Sequence, residues 1–362
     1  MSKKEVTVRL ETITPLWTGD AWQENVKIRS SSLMGSLRFW FEIFLMAATD
    51  LLPSTYDYNS EKLGPSKYRQ DILSNLNKGL TMKEAEIEAF KFQKISLPSF
   101  IFGCNGLKSK IEIENITYDD NLLNNELDLP FAIYKNKRDK EFIEVSSNDK
   151  QKLYEIRKNR NNHIWYFPQE YLYGDFYITF SFAYEDLAEK IFYPLLNFIQ
   201  QYGFIGGKNN LGFGRVKFTI VDGDLSKYRT FDFSDFDYGK KYLYEAFEEN
   251  TSKFEDMYDI YKIGFYKKGE KNFVNSDLSK KHIKQLIKEL LSDKAFNRAA
   301  FKKNNPNEVE KRHFLFGISK GNINATKIIP WINKVDDTKY EYGYISLVML
   351  NRFEQKAGVK NV

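Results

Sequence analysis

The sequence predicts an α+β fold, because segments with the two-residue period of a strand alternate along the chain with segments that have the period of a helix. Residues 6–14 alternate polar and apolar side chains, whereas residues 33–48 repeat apolar side chains at a spacing of three and four. Hydrophobic residues make up 42% of the 362 residues, which is enough to build substantial cores. The length predicts two domains or one large domain.

The first half of the chain contains six regular elements and one insertion. Pro15 ends the first strand, and Ser30, Ser31 and Ser32 are suitable caps for the first helix. The elements, in order, are a strand at 6–14, a helix at 33–48, a polar and partly helical insertion at 53–94, strands at 107–117 and 175–184, a helix at 186–201 and a strand at 215–221. The order β, α, β, β, α, β predicts a ferredoxin-like unit of the RNA-recognition type with long insertions.

The second half is predicted to form a second, degenerate ferredoxin-like unit. An acidic and aromatic run at 228–238 is interpreted as a linker, which divides the chain into domains at 1–227 and 228–362. From residue 240 to about residue 302 the pattern is mainly helical. Strands are predicted at 313–318, 325–333 and 342–350, and the first strand of this unit has no clear position in the sequence.

Positive charge is concentrated in parts of the chain, although the formal net charge is only +5. Four stretches contain no Asp or Glu, whereas the chain as a whole carries 49 acidic residues. These acid-free stretches are residues 25–41, 89–111, 190–221 and 311–335. The distribution predicts a shared basic surface of the kind that binds nucleic acid.

A glycine-rich loop lies between the second predicted helix and the strand that follows it. Residues 203–214 contain five glycines in twelve positions, and Lys208 and Arg215 accompany them. Glycines can turn successive main-chain N–H groups towards an anion, which predicts a phosphate-binding loop. A loop that serves only as a tight turn is the alternative. The candidate RNA-binding residues are Gly206, Gly207, Lys208, Asn209, Asn210, Gly212, Phe213 and Arg215.

Cations and hydroxyls also surround the start of the first predicted helix, where free N–H groups carry partial positive charge. The candidate residues are Lys27, Arg29, Ser31, Ser32 and Arg38. The serines could instead serve only as helix caps. Gly35 costs about 1 kcal/mol relative to Ala inside a helix, which predicts close approach of another backbone or of a ligand.

A third candidate site is the start of the strand predicted at 107–117. Lys108 and Lys110 would share one face of that strand, and Ser109 would lie on the other. Such a face could follow an RNA backbone, or the lysines could protect an edge strand from pairing.

Signals for catalysis are weak. The three histidines, His163, His282 and His313, have no neighbours at metal-ligand spacing, and no CxxC or HExxH motif occurs. His313 could assist RNA cleavage, but a structural or surface role is the favoured interpretation. We predict no catalytic residue, no metal and no cofactor.

The sequence also predicts the compartment. The single cysteine, Cys104, fits a reducing environment, and residues 3–10 lack the apolar core of a signal peptide. The most apolar segment, 39–48, is too short to cross a bilayer. We therefore expect a cytoplasmic protein without membrane contacts.

Four passages resemble the RAMP superfamily of type III-B CRISPR (Cmr) effector complexes, and most closely its first-numbered Cmr subunit. They occur in the same order as in that subunit, at residues 14–19, 28–40, 102–110 and 206–216. The passages 311–317 and 328–330 are similar to its C-terminal part. The resemblance implies two ferredoxin-like units and a non-catalytic RNA-binding subunit that helps to capture target RNA near the 3′ end of the guide RNA. It implies that the partners are guide RNA, target RNA and other RAMP subunits.

Two other functions remain open from the sequence. The first is a CRISPR repeat-processing endoribonuclease, although its glycine-rich loop normally lies near the C-terminus and residues 1–160 here contain no histidine that could be a general base. The second is a scaffold whose basic faces contact acidic neighbouring subunits.

Overall fold

The computed structural model describes residues 4–19, 24–48, 61–93, 95–118, 127–136, 142–146, 149–158, 162–236, 241–243, 248–260, 263–273, 276–317 and 325–350. Two four-stranded sheets, each covered by helices, form the main framework of this part of the chain. Among the described residues, no helix combines the length and the apolar character needed to cross a membrane.

The first sheet has the strand order of a ferredoxin-like unit. It contains strands β1 (Lys4–Thr12), β2 (Ile111–Tyr118), β6 (Asp175–Phe182) and β7 (Val216–Ile220), in the order β2-β6-β1-β7. All three pairings are antiparallel. The predicted first unit is therefore confirmed, including the pairing of the strands expected at 107–117 and 175–184.

Two helices pack on the first sheet. Helix α1 (Ser30–Ala48) follows β1, and α6 (Tyr193–Tyr202) continues from a π-helical turn at Ala188–Phe192. The apolar side chains of α1 that repeat at helical spacing are buried, because that stripe faces the first core. The helix begins earlier than predicted, so the serines at 30–32 form its first turn rather than precede it.

Insertions separate the elements of the first unit. The polar segment predicted at 53–94 contains helices α2 (Pro65–Asn77) and α3 (Met82–Lys91), and residues 53–60 lie outside the described residues. Helix α4 (Leu97–Phe102) leads to β2. A small antiparallel sheet of β3 (Ala132–Asn136), β4 (Phe142–Val145) and β5 (Asn162–Tyr166), with helix α5 (Lys150–Lys158), lies between β2 and β6 in the sequence.

The second sheet is an incomplete version of the first. Its order is β10-β11-β13-β12, formed by β10 (Glu248–Asn250), β11 (Ile263–Asn272), β12 (Ile328–Lys334) and β13 (Lys339–Ser346). Helix α7 (Ser276–Asn304) connects β11 to helix α8 (Val309–Phe316), which precedes β12. The short strand β10 pairs in parallel with β11 at the edge where a ferredoxin-like unit has its last strand.

Three predictions for the second half are corrected. The first strand is β11, in a region expected to be helical, and residues 313–316, expected to form a strand, belong to α8. The run expected to be a linker places Phe231, Phe233 and Phe236 in the first core, and Phe231 stacks on Phe44 with ring centroids 3.9 Å apart. This run includes β8 (Thr230–Asp232), which pairs with β9 (Lys241–Leu243). The domain boundary at 227/228 stays a prediction.

Candidate nucleic-acid interface

A groove of about 380 Å³ lies where three parts of the first unit meet. These parts are the segment after β1, the exposed face of α1 and the glycine-rich loop after α6. The groove is lined by Trp17, Thr18, Gly19, Ser32, Gly35, Ser36, Phe39, Trp40, Phe204, Gly206, Gly207 and Asn209. The fold thus brings together residues from three of the four passages that carry the sequence resemblance.

The glycine-rich loop packs tightly against the segment after β1. Gly206 has a φ of 75°, and a Cβ atom there would overlap the carbonyl oxygen of Trp17. The N–H of Gly207 donates to that same carbonyl at 2.8 Å, and the N–H of Gly206 donates to Ser36 Oγ at 2.9 Å. Glycine is therefore needed because the loop approaches another part of the backbone, in a conformation that other residues avoid.

This packing corrects the predicted role of the glycines as anion donors. The N–H groups of Gly206, Gly207, Gly212 and Gly214 all donate within the protein. The next N–H groups are different, because no described residue accepts a hydrogen bond from the main-chain N–H groups of residues 208–210. Main-chain donors for an anion are therefore available at 208–210 rather than at the glycines.

Lys208 extends the groove with a positive charge. It has a φ of 62°, and its Nζ lies 4.7 Å from the centre of the Trp17 ring. No carboxylate of the described residues forms an ion pair with this half-buried lysine. Beside it, Asn209 lines the groove and its buried Oδ1 has no hydrogen-bond partner, and Asn210 is exposed. A cation over an aromatic ring can neutralise a phosphate while the ring stays available for stacking.

Helix α1 supplies small and aromatic residues to the opposite wall. Ser36 Oγ donates to the carbonyl of Ser32 at 2.8 Å while it accepts from the glycine loop. Gly35 is exposed, and a Cβ atom there would have no other atom within 4 Å. Within the part of the chain that the structure describes, no backbone approaches Gly35, and the predicted approach of a ligand stays a prediction. Phe39, 41% exposed, adds an apolar ring on this wall.

Thr18 joins the start of α1 to the groove. Its hydroxyl donates to the carbonyl of Lys27 at 3.0 Å, and it accepts from the N–H of Arg29 at 3.4 Å. The side chain of Lys27 is exposed and that of Arg29 is half-buried, and Ser31 is exposed in the first helical turn. Ser32 therefore lines the groove, and Lys27 and Arg29 lie next to it through their backbone contacts with Thr18. RNA binding by Lys27, Arg29, Ser31 and Ser32 stays a prediction.

Arg215 is corrected from a predicted RNA contact to an internal residue. Its side chain is fully buried, and its guanidinium donates to the main-chain carbonyls of residues 199, 200, 201 and 203 at the end of α6. Its Nε donates to Ile332 O at 3.0 Å. Burial lowers the pKa of Arg215 to about 9, so the guanidinium remains charged at neutral pH. It stabilises the negative end of α6 rather than a phosphate.

Four further predicted RNA contacts are buried or bonded within the protein. Arg38 donates to Glu42, to Gly103 O at 2.7 Å and to Ser99 Oγ at 2.8 Å. Lys110 is buried, with its Nζ 2.7 Å from Glu86. Phe213 is completely buried in the second core, and Gly212 beside it is buried too. These side chains hold the fold together, so the acid-free stretches overstate how much positive charge reaches the surface.

The predicted lysine face at 107–117 is not formed, because β2 begins only at Ile111. The Ser109 hydroxyl lies 3.1 Å from the carbonyl of Ile101 and 2.6 Å from that of Ile111, which holds the segment as a turn. Lys108 is 78% exposed and forms an ion pair with Glu112. Neither residue lines the groove.

Sequence reasoning missed Trp17, Thr18 and Phe39 as site residues. Trp17 and Thr18 belong to the passage 14–19, whose resemblance to the superfamily is their signal in the sequence. For Phe39, the available signal is its position outside the apolar stripe of an amphipathic helix. Such a helix normally buries its aromatic residues.

Comparisons with known proteins identify the family. A family model of the RAMP superfamily matches residues 9–217. No curated protein matches the chain. Among solved structures, apo Cmr1 from Pyrococcus furiosus is 13% identical, with 95% of this chain and 87% of that chain covered and a TM-score of 0.37. A chain of the type III-B Cmr-beta complex bound to cognate target RNA and AMPPnP is 12% identical, with 98% and 100% covered and a TM-score of 0.37. All groove residues lie within the part of the chain that the family model matches.

Proposed function

The chain belongs to the RAMP superfamily, and on this premise we propose that it is a non-catalytic RNA-binding subunit of a type III-B CRISPR interference complex. In this role it helps to capture target RNA near the 3′ end of the guide RNA, beside other RAMP subunits. The observation that carries the proposal is the groove, in which the segment after β1, the start of α1 and the glycine-rich loop meet.

The groove suits a single-stranded RNA backbone. Lys208, Lys27 and Arg29 provide cations at or near its walls, and the N–H groups of residues 208–210 provide donors for phosphate oxygens. The rings of Trp17 and Phe39 provide faces on which bases can stack. Such contacts read the backbone and not the sequence, so base pairing between guide and target would supply specificity.

A non-catalytic role also fits the residues around the groove. None of the twelve groove-lining residues is a histidine, aspartate, glutamate or lysine. His313 belongs to α8, within the second unit. A ribonuclease needs a positioned acid or base beside the reacting phosphate, and the described residues that line the groove include none of these types.

The test is binding of the purified chain to labelled single-stranded RNA across a salt series. We expect the slope of log affinity against log salt to fall by about one in Lys208→Ala, because one phosphate contact is lost. The matched control is Lys227→Ala, which removes an exposed lysine outside the groove. Equal slopes in the two variants would contradict the proposed site.

The same samples are run on a denaturing gel. Intact RNA supports a non-catalytic role, and specific cleavage would instead favour the endoribonuclease. Absence of RNA binding by the wild-type chain, together with its incorporation into a complex with other RAMP subunits, would favour the scaffold.

A further inference from the structure

A second group of positive charges lies in the second unit, on helices α7 and α8. It consists of Lys294 and Arg298 on α7 and Arg312 and His313 on α8, and is called here the α7–α8 cluster. None of its members lines the groove described above. Lys294 and Arg298 are four residues apart and therefore share one face of α7. Two of its members, Arg312 and His313, lie at the start of the acid-free stretch 311–335, and no residue of that stretch lines the groove.

Hydrogen bonds hold Arg298 to the main chain and leave Arg312 with one side-chain partner among the described residues. Arg298 donates from Nη1 to the carbonyls of Phe316 at 3.3 Å and Gly317 at 2.9 Å, at the C-terminal end of α8. No described residue accepts from its Nε or Nη2. Arg312 Nη2 lies 3.4 Å from His313 Nε2. Because a guanidinium has no acceptor, His313 Nε2 must accept this bond, so the ring is neutral in this arrangement.

The cluster has no compensating carboxylate among the described residues. The nearby acids on α7, Glu289 and Asp293, form ion pairs with Lys268 instead. On α8, Glu310 is exposed and forms no ion pair with a member of the cluster. Like charges held together without a counter-ion repel one another, so an anion between them would be stabilised.

The lowered pKa values of three cluster members agree with a cluster that has no carboxylate partner among the described residues. Burial, together with the charge of Arg298, lowers the pKa of Lys294 to about 7. Burial and the charge of Arg312 lower the pKa of Arg298, and burial and both arginines lower that of His313. Each shift is in the direction that a bound anion would reverse.

We propose that the α7–α8 cluster binds a phosphate of a single-stranded RNA backbone and is a second RNA contact, separate from the groove. The proposal rests on the proposed function for the presence of RNA. Arginine forks match phosphate oxygens in geometry, and Arg298 is already oriented by the end of α8. Arg312 is half-buried, and its side chain has no hydrogen bond to the main chain of the described residues. This side chain can therefore turn towards the RNA without breaking such a bond.

The experiment compares four full-length chains in the RNA-binding salt series: wild type, Arg312→Ala, the groove variant Lys208→Ala and Arg69→Ala. Arg69 is an exposed arginine on α2 and controls for the loss of one unit of charge. We expect Arg312→Ala to lower the salt slope by about one and to weaken binding about threefold to tenfold near 0.1 M salt, while Arg69→Ala changes neither. Lys294→Met gives a second cluster variant that keeps the side-chain volume and should weaken binding in the same direction.

The outcomes separate the two proposals. If the wild type binds RNA, Lys208→Ala weakens binding and both cluster variants behave like Arg69→Ala, the second contact is overturned and the groove stands. If the cluster variants weaken binding and Lys208→Ala does not, the cluster stands and the groove assignment fails. If the wild type does not bind RNA at all, both proposals are overturned.

Discussion

Arg215 donates from Nε to the carbonyl oxygen of Ile332 at 3.0 Å, so one buried guanidinium connects the glycine-rich loop of the first unit to the second sheet. The same side chain lies between two aromatic rings, 5.4 Å from the centre of Phe204 and 5.3 Å from that of Trp331. Trp331 strengthens the connection, because its Nε1 donates to Gln201 O at 2.9 Å. The end of α6 and the second sheet therefore share one hydrogen-bond network.

We expect Arg215→Met to lower the free energy of unfolding by roughly 3–5 kcal/mol, because buried carbonyls lose a charged donor and no water can replace it. Urea denaturation followed by circular dichroism measures the change. Lys217→Met on β7 is the control, since that lysine is half-exposed and should change stability by less than about 0.5 kcal/mol. Similar midpoints for the two variants would mean that Arg215 is not a structural residue.

Gly206 is predicted to tolerate no side chain. Gly206→Ala places a Cβ atom against the Trp17 carbonyl at a positive φ, so we expect a loss of at least about 2 kcal/mol of stability and a weaker affinity for RNA. Gly223→Ala is the control, because a Cβ atom there would make only ordinary contacts, at 3.5 Å or more. Thermal unfolding of both variants distinguishes a required glycine from a replaceable one. A Gly206→Ala chain as stable as Gly223→Ala would contradict the described loop packing.

Gly35 should show the opposite effect on stability. Gly35→Ala is expected to stabilise the protein by about 0.5–1 kcal/mol, since alanine is the better helix former and meets no other atom. Gly35→Phe places a large ring in the groove and is expected to weaken RNA binding at least tenfold without unfolding the chain. Thermal unfolding and RNA binding are measured on both variants. Unchanged RNA affinity in Gly35→Phe would show that RNA does not occupy the groove.

The first unit could be predicted from the sequence because its strands have one apolar face. In β6, Phe176, Ile178 and Phe180 are buried, whereas Tyr177 is exposed and Thr179 is half-buried. Strand β11 was missed because its register shifts between Lys267 and Gly269, which breaks the alternation that identifies a strand.

The site was only partly predictable. The roles of the glycines and of Arg215 depend on contacts between residues far apart in the chain, such as Arg215 with Ile332 and Gly206 with Trp17. An arginine after a glycine-rich loop looks the same in the sequence whether it faces solvent or a buried helix end. Composition therefore indicated the right region of the chain, and tertiary packing decided which of its cations are accessible.

Lys294 provides a prediction with a defined pH dependence. An unfolded lysine keeps its proton up to a pH of about 10.5, whereas in the folded chain the pKa is lowered to about 7. The unfolded state therefore binds more protons between these values, and the stability of the wild type should rise as pH increases from about 7 towards 10.5. Below pH 7 both states are charged, and the cost of the buried charge is present in full.

Lys294→Met removes this cost and keeps the side chain long and apolar. We expect the variant to be more stable than the wild type by roughly 1–3 kcal/mol at pH 6.5, with a difference that shrinks as the pH approaches 10. Urea denaturation of both chains at pH 6.5, 8 and 9.5 measures this difference in the free energy of unfolding. The other titratable groups are the same in both chains, so their contributions cancel to first order. A difference that does not depend on pH would show that Lys294 is charged and solvated in the folded protein, and a less stable variant would show that its ammonium makes a stabilising contact.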